Sequence, residues 1–138
     1  MILISETGPQ VIDIVPNGRL HQDGNVIVNA LDDGLRLRRK MAYAGHIAIS
    51  LVVNSKGQLL AGPDCHISGF PHGRNDVYLD AMIDDVGDEA EAAFNGLSRN
   101  GKVDEDVIED RIRSRIKKMV KQHTGKRPVV VVSAHKVK

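Results

Sequence analysis

Residues 45–70, GHIAISLVVNSKGQLLAGPDCHISGF, carry the pattern on which the rest of the chain depends. Ile47, Ile49, Leu51 and Val53 alternate with His46, Ala48, Ser50 and Val52. Successive side chains of a strand point to opposite faces, so the first set shares one face. Each of its members is worth about 1.5–3 kcal/mol once buried. Asn54, Ser55, Lys56 and Gly57 come next as a polar turn. Gly57 there can supply the positive φ that a short hairpin loop needs. A second strand runs from Gln58 through Ala61 and resumes near Cys65. Pro63 has no N–H to give to a ladder, which puts this strand at a sheet edge with a bulge at Gly62-Pro63. The first strand keeps its other side free for something later in the chain.

The downstream residues read as cover for the Ile47/Ile49/Leu51/Val53 face. Leu79, Met82, Ile83, Val86, Ala90, Ala93, Phe94 and Leu97 recur at steps of three and four, the signature of one helical face. Asn75 or Asp76 can cap this helix, Asn95-Gly96 reads as its end and Asn100-Gly101 as the turn. Its other face carries Asp80, Asp84, Asp85, Asp88 and Glu91. A second helix starts at Asp104, with Ile108, Ile112, Ile116, Met119 and Val120 as its apolar stripe. Acids crowd its first turn and lysines its last turns, both favourable to the helix dipole. Gly125 stops it and Pro128 forbids continuation. Val129, Val130, Val131 and Val132 then form a strand, and an unbroken apolar run predicts cover on each face. The fold expected is α/β, an α+β two-layer sandwich. It has a three-stranded mixed sheet under two antiparallel helices, order ββααβ, with the last strand parallel to the first.

Upstream, residues 31–45 predict a linker helix, capped by Asp32 or Asp33 and closed by Gly45 in the left-handed conformation. Leu35, Met41 and Ala42 would face inward. Arg36, Arg38, Arg39 and Lys40 form a basic patch, read either as phosphate contacts or as a solvated face. Residues 1–30 are short apolar runs broken at Thr7-Gly8-Pro9 and Pro16-Asn17-Gly18, two or three strands with no helix to cover them. Alone they cannot bury both faces. They complete a sheet outside this chain, dock on a partner, or pack as a meander on residues 46–138, the main domain.

At 138 residues the chain can bury a real core without disulfide staples. Its single cysteine, Cys65, leaves no internal disulfide framework and fits a reducing cytoplasm. No apolar run reaches membrane-spanning length, so no membrane partner is expected. A formal charge of +1 points to no polyanion by itself. Four aromatic residues are few for a single-strand platform that stacks bases.

Motifs for chemistry are sparse. Asp64, Cys65, His66 and His72 form the one local cluster of metal-ligating types. Cys65 and His66 are neighbours on a strand and point to opposite faces, so they do not grip one ion together. No phosphate loop, nucleophile elbow or zinc-protease motif is present. No catalytic, metal or cofactor residue is therefore assigned. The better surface candidate is basic. Arg111, Arg115 and Lys118 share a helical stripe, with Lys126 and Arg127 beyond it, and could meet RNA phosphates or an acidic partner. The alternative is a solvated face. The Val129, Val130, Val131 and Val132 strand is the candidate for self-association into a homodimer or higher homo-oligomer.

Several of these residues also carry a family likeness. Val15-Pro16-Asn17-Gly18-Arg19-Leu20 with Asp23-Gly24 resembles a junction found in the ribonuclease J family. So do Arg38-Arg39, Gly45 with its strand, Gly62-Pro63-Asp64, Gly69-Phe70 and Lys126-Arg127-Pro128 before the final strand. The chain resembles the C-terminal domain of that family, with residues 1–30 as the tail of the catalytic region and 31–45 as the linker. The resemblance implies a parent of the metallo-β-lactamase/β-CASP type. Such a parent is a zinc-dependent 5′ exo- and endoribonuclease in RNA processing and mRNA decay. Its metal motif, His-x-His-x-Asp-His, does not occur in these 138 residues. For this part the resemblance implies a support domain that promotes oligomers, with other RNA-decay proteins as further partners.

Overall fold

The computed structural model describes residues 2–14, 18–71, 77–98 and 104–137. The chain divides into two compact units, 1–36 and 37–138, and the division falls inside a helix.

The first unit holds two hairpins, β1 (Ile2–Ser5) with β2 (Gly8–Val11) and β3 (Leu20–Asp23) with β4 (Val26–Asn29). Both loops are two residues long, and Gly24 takes φ 59° in the second. That makes four strands where the apolar runs suggested two or three. β3, Leu20-His21-Gln22-Asp23, has no apolar alternation to announce it and forms because the tight turn folds it onto Val26, Ile27 and Val28. Ile4, Val11, Leu20 and Ile27 are all mostly exposed, so these hairpins have no core of their own. The break expected at Pro16-Asn17 lies outside the described residues.

Helix α1 (Asp33–Ala44) begins at Asp32, whose Oδ1 accepts the Leu35 N–H at 3.1 Å. It ends at Gly45, φ 86°, whose N–H donates to Met41 O. Leu35 and Met41 are half-buried as expected, but Ala42 is exposed and Ala44 is the buried residue.

The second unit is the expected sandwich. β5 (His46–Asn54) lies between β6 (Leu59–Ser68), antiparallel to it, and β7 (Val129–Val137), parallel to it. Asn54 runs the β5–β6 turn, its Oδ1 accepting the N–H groups of Lys56 and Gln58 at 2.9 Å. β6 is continuous to Ser68 rather than interrupted. The register steps from Ser50↔Asp64 to Val52↔Ala61, putting one extra residue at Gly62-Pro63, a cis peptide, and steps again from Val52↔Ala61 to Val53↔Leu59.

α2 (Val77–Ser98) and α3 (Glu105–Thr124) roof one face. Beneath them lie Ile47, Ile49, Leu51 and Val53, each at most 2% exposed, with Val130, Val132 and Ala134 of β7. Val86, Ala90, Ile108, Ile112, Ile116 and Val120 face them fully buried. α2 runs straight through Asn95-Gly96, a pair that reads as an end in the sequence, because Phe94 and Leu97 on its inner face still pack on the core. Its cap at Asn75 or Asp76 and the turn at Asn100-Gly101 lie outside the described residues. Among the described residues no helix is long and apolar enough to cross a membrane.

The last strand departs from expectation. β7 alternates, with Val130, Val132 and Ala134 buried and Val131 45% exposed. Four valines in a row hid a strand that is covered on one side within the single chain.

Candidate functional site

Among the described residues of the second unit, the outer face of the sheet and the first half of the outer edge of β7 are left without cover. The parallel and antiparallel registers fix which side chains share that face. His46 lies beside Val129, Ala48 between His66 and Val131, Ser50 between Asp64 and Ser133, and Val52 between Ala61 and His135. The result is a shallow mixed surface, with a hollow of about 240 Å3 at Ala48, Ser50, His66 and Val131. Val130 and Val132, offered by sequence reasoning as self-association residues, are core residues at 5% and 3% exposure. By strand geometry, Val129 and Val131 are the two of the four that can meet a neighbour through the face.

The basic candidates do not all line one hollow. Arg115 Nε donates to Glu89 Oε1 of α2 at 2.6 Å, and Arg115 shares a cleft of about 240 Å3 with Lys118, Met119 and Gln122. Lys126 Nζ donates to Tyr43 O at the end of α1 at 3.3 Å and lines a separate hollow with Phe70, Tyr78 and His123. Arg111, Lys118 and Arg127 are exposed. Two of the five cations are thus engaged in holding elements together. On the β6 side, a groove of about 680 Å3 is lined by Asp64, Asp84, Asp88 and Glu91, a surface that repels phosphate.

Cys65 packs against the core while His66 faces the other way. Burial, then the negative charge of Asp64, pushes the Cys65 thiol up to about 11. A thiol held protonated is a poor nucleophile and a poor metal ligand. Among the described residues no group of three or more His, Cys, Asp or Glu is placed to hold a metal ion. His72 lies outside them. No step of metal chemistry is assigned to this chain.

Sequence reasoning missed Glu105 and Glu109. Glu105 reads as a first-turn acid of α3 and Glu109 lies one turn further on, yet both reach β7. Glu109 Oε1 accepts the Ala134 N–H at 3.1 Å, and Glu105 Oε1 accepts the Lys136 N–H at 2.6 Å. Their spacing of four puts them on one side of the helix, but nothing local says which strand lies there.

Comparison with known proteins gives concordant results. A family model described as the ribonuclease J C-terminal domain matches residues 34–137. Ribonuclease J of Sinorhizobium meliloti is 31% identical over 137 residues, 99% of this chain and 24% of that protein. Ribonuclease J of Corynebacterium glutamicum is 27% identical over 123 residues, 88% of this chain and 16% of that protein. The chain therefore spans about a quarter of the first relative's length and less of the second's.

Proposed function

The chain belongs to the ribonuclease J C-terminal domain family, and on that premise we propose that it is the non-catalytic assembly domain of a cytoplasmic ribonuclease J. It joins copies of a parent that acts on RNA as a zinc-dependent exo- and endoribonuclease in RNA processing and decay. The zinc would belong to the parent's catalytic half. One observation supports the reading best. Among the described residues the three-stranded sheet is roofed on one face, and its other face presents Ala48 directly beside Val131, with Val129 and Val52 further along it. A patch of apolar side chains among polar ones is how non-obligate interfaces are built. A second copy applied about a two-fold axis covers it with the same patch.

Sedimentation of the whole chain tests this. The expected result is a dimer that Val131→Asp converts to monomer without lowering the unfolding midpoint measured at low concentration, where the parent is also monomeric. Monomer alone at high concentration overturns it. The rival reading, an RNA-binding module on Arg111, Arg115, Lys118, Lys126 and Arg127, is weakened by the engagement of Arg115 and Lys126. It would win if the chain shifts RNA in a gel at low salt and releases it steeply as salt rises.

A further inference from the structure

The apolar positions on the outer face of the sheet stand among imidazoles. His46 lies directly beside Val129, His66 beside Ala48 and His135 beside Val52, and Ala48 separates His66 from Val131. The three histidines come from three strands, β5, β6 and β7. They share one face because each is in phase with the residues that point away from the helices. His46 is half-buried, and His66 and His135 are exposed. A body that dries Ala48, Val52, Val129 and Val131 must therefore dry these rings as well.

Other charged groups near the rings are few. Asp64, two residues before His66 on β6, is the one carboxylate on this face among the described residues of the second unit. Round the β6 edge, Asp84, Asp88 and Glu91 of α2 line the groove that Asp64 also borders. Round the β7 edge, Glu105 of α3 is bound to the Lys136 N–H. Both sets belong to the helix side of the sheet. Helix α1, which leads into His46, brings Arg38, Arg39 and Lys40, cations like a protonated ring. Between about pH 8 and pH 5.5 histidine is the side chain that changes charge. With neutral rings the face carries the negative charge of Asp64 alone. With protonated rings, cations outnumber that carboxylate three to one.

A two-fold contact sets whatever charge the face carries against the same charge. Neutral rings can be buried there, with the hydroxyls of Ser50, Ser68 and Ser133 on the same face as hydrogen-bond partners. Protonated rings need a carboxylate apiece, and the face has one for three. We propose that His46, His66 and His135 make the contact between copies a pH switch, held while the rings are neutral and released as they take up protons. The switch rests on the self-association proposed above. Separated copies bind more protons than joined ones, and falling pH favours the species that binds more.

Sedimentation of the whole chain over a range of concentrations, near pH 8 and near pH 5.5, tests the switch. Circular dichroism confirms that the native fold is kept at the lower pH. The dissociation constant of the dimer should rise at least ~10-fold on going to the lower pH. The triple variant His46→Gln, His66→Gln, His135→Gln should dimerise equally at both. Each single variant should lose part of the pH effect, which keeps the rings testable one at a time if the triple variant does not fold. An equal dissociation constant for the parent at both pH values overturns the switch and leaves the dimer standing. So does a pH effect that the triple variant, or every single variant, retains in full. Monomer at every pH and concentration removes the dimer itself, and the switch with it.

Discussion

Glu109 reaches from α3 to the outer edge of β7, where its Oε1 accepts the Ala134 N–H at 3.1 Å. Its other oxygen is held by Arg113 Nη2 at 3.4 Å. One half-buried carboxylate thus ties a helix to a strand and, with Glu105 at the Lys136 N–H, stops part of an edge from recruiting another chain. Proteins that leave edges bare invite aggregation, and inward-reaching charge is one remedy. β6, the opposite edge, is broken instead by the bulge and by Pro63.

Removing that carboxylate should therefore do two things. Glu109→Ala is expected to lower stability by about 1.5 kcal/mol, the range for a hydrogen bond to a charged acceptor. It should also speed hydrogen exchange at Ala134 while leaving Ser133, which points to β5, unchanged. Glu109→Gln keeps an acceptor oxygen and should recover part of the loss. Urea unfolding with residue-resolved exchange measures both, and unchanged exchange at Ala134 would show that the bond does not hold in solution.

The ββααβ order was legible because each element repeats its own period. Ile47 to Val53 alternate, Leu79 to Leu97 and Ile108 to Val120 recur at three and four, and Gly57, Gly125 and Pro128 punctuate them. What escaped reading depends on partners distant in the chain. Glu109 and Glu105 find β7 at separations of 25 and 31 residues, and Arg115 finds Glu89 at 26. No local pattern announces such pairs. The valine run failed for another reason, since identical residues carry no period, and only the pairing with β5 says which of them point inward.

Two glycines should respond in opposite directions to the same change. Gly45 stands at φ 86°, and a Cβ there would overlap the Phe70 ring. Gly45→Ala should cost about 3 kcal/mol, from the left-handed backbone and from overpacking together. Gly87 sits inside α2 with nothing within 4 Å of an added Cβ. Gly87→Ala should stabilise by about 0.5–1 kcal/mol through helix propensity. Thermal unfolding of the two variants side by side decides, and a loss of stability in Gly87→Ala would contradict the open space seen there.

Cys65 should be slow to react. Moving a thiol from 9.0 to about 11 leaves about 100-fold less thiolate at pH 8, and the thiolate is the nucleophile. Iodoacetamide should label the folded chain correspondingly slowly and the urea-unfolded chain at the ordinary rate. The same shift has a sign for stability. Between pH 9 and about 11 the unfolded thiol has lost its proton while the folded one keeps it, so this contribution fades as pH rises. Cys65→Ala should lose less stability over that window than the parent chain does. Equal slopes would mean that the thiol titrates alike in both states.

Val131 and Val132 are adjacent on β7 and should behave as residues of different kinds. Val132 is 3% exposed under the helices, and Val132→Ala should cost about 1–3 kcal/mol through lost burial and the cavity left behind. Val131 is 45% exposed on the open face, so Val131→Ala should change the stability of the isolated chain by less than about 0.5 kcal/mol. If the open face joins copies, the mild variant is the one that weakens the dimer, and the damaging variant leaves the dissociation constant of its folded fraction near that of the parent. Denaturant unfolding at low concentration gives the first quantity and sedimentation gives the second. A Val132→Ala chain that dissociates as readily as Val131→Ala would mean that assembly tracks overall stability and not this face.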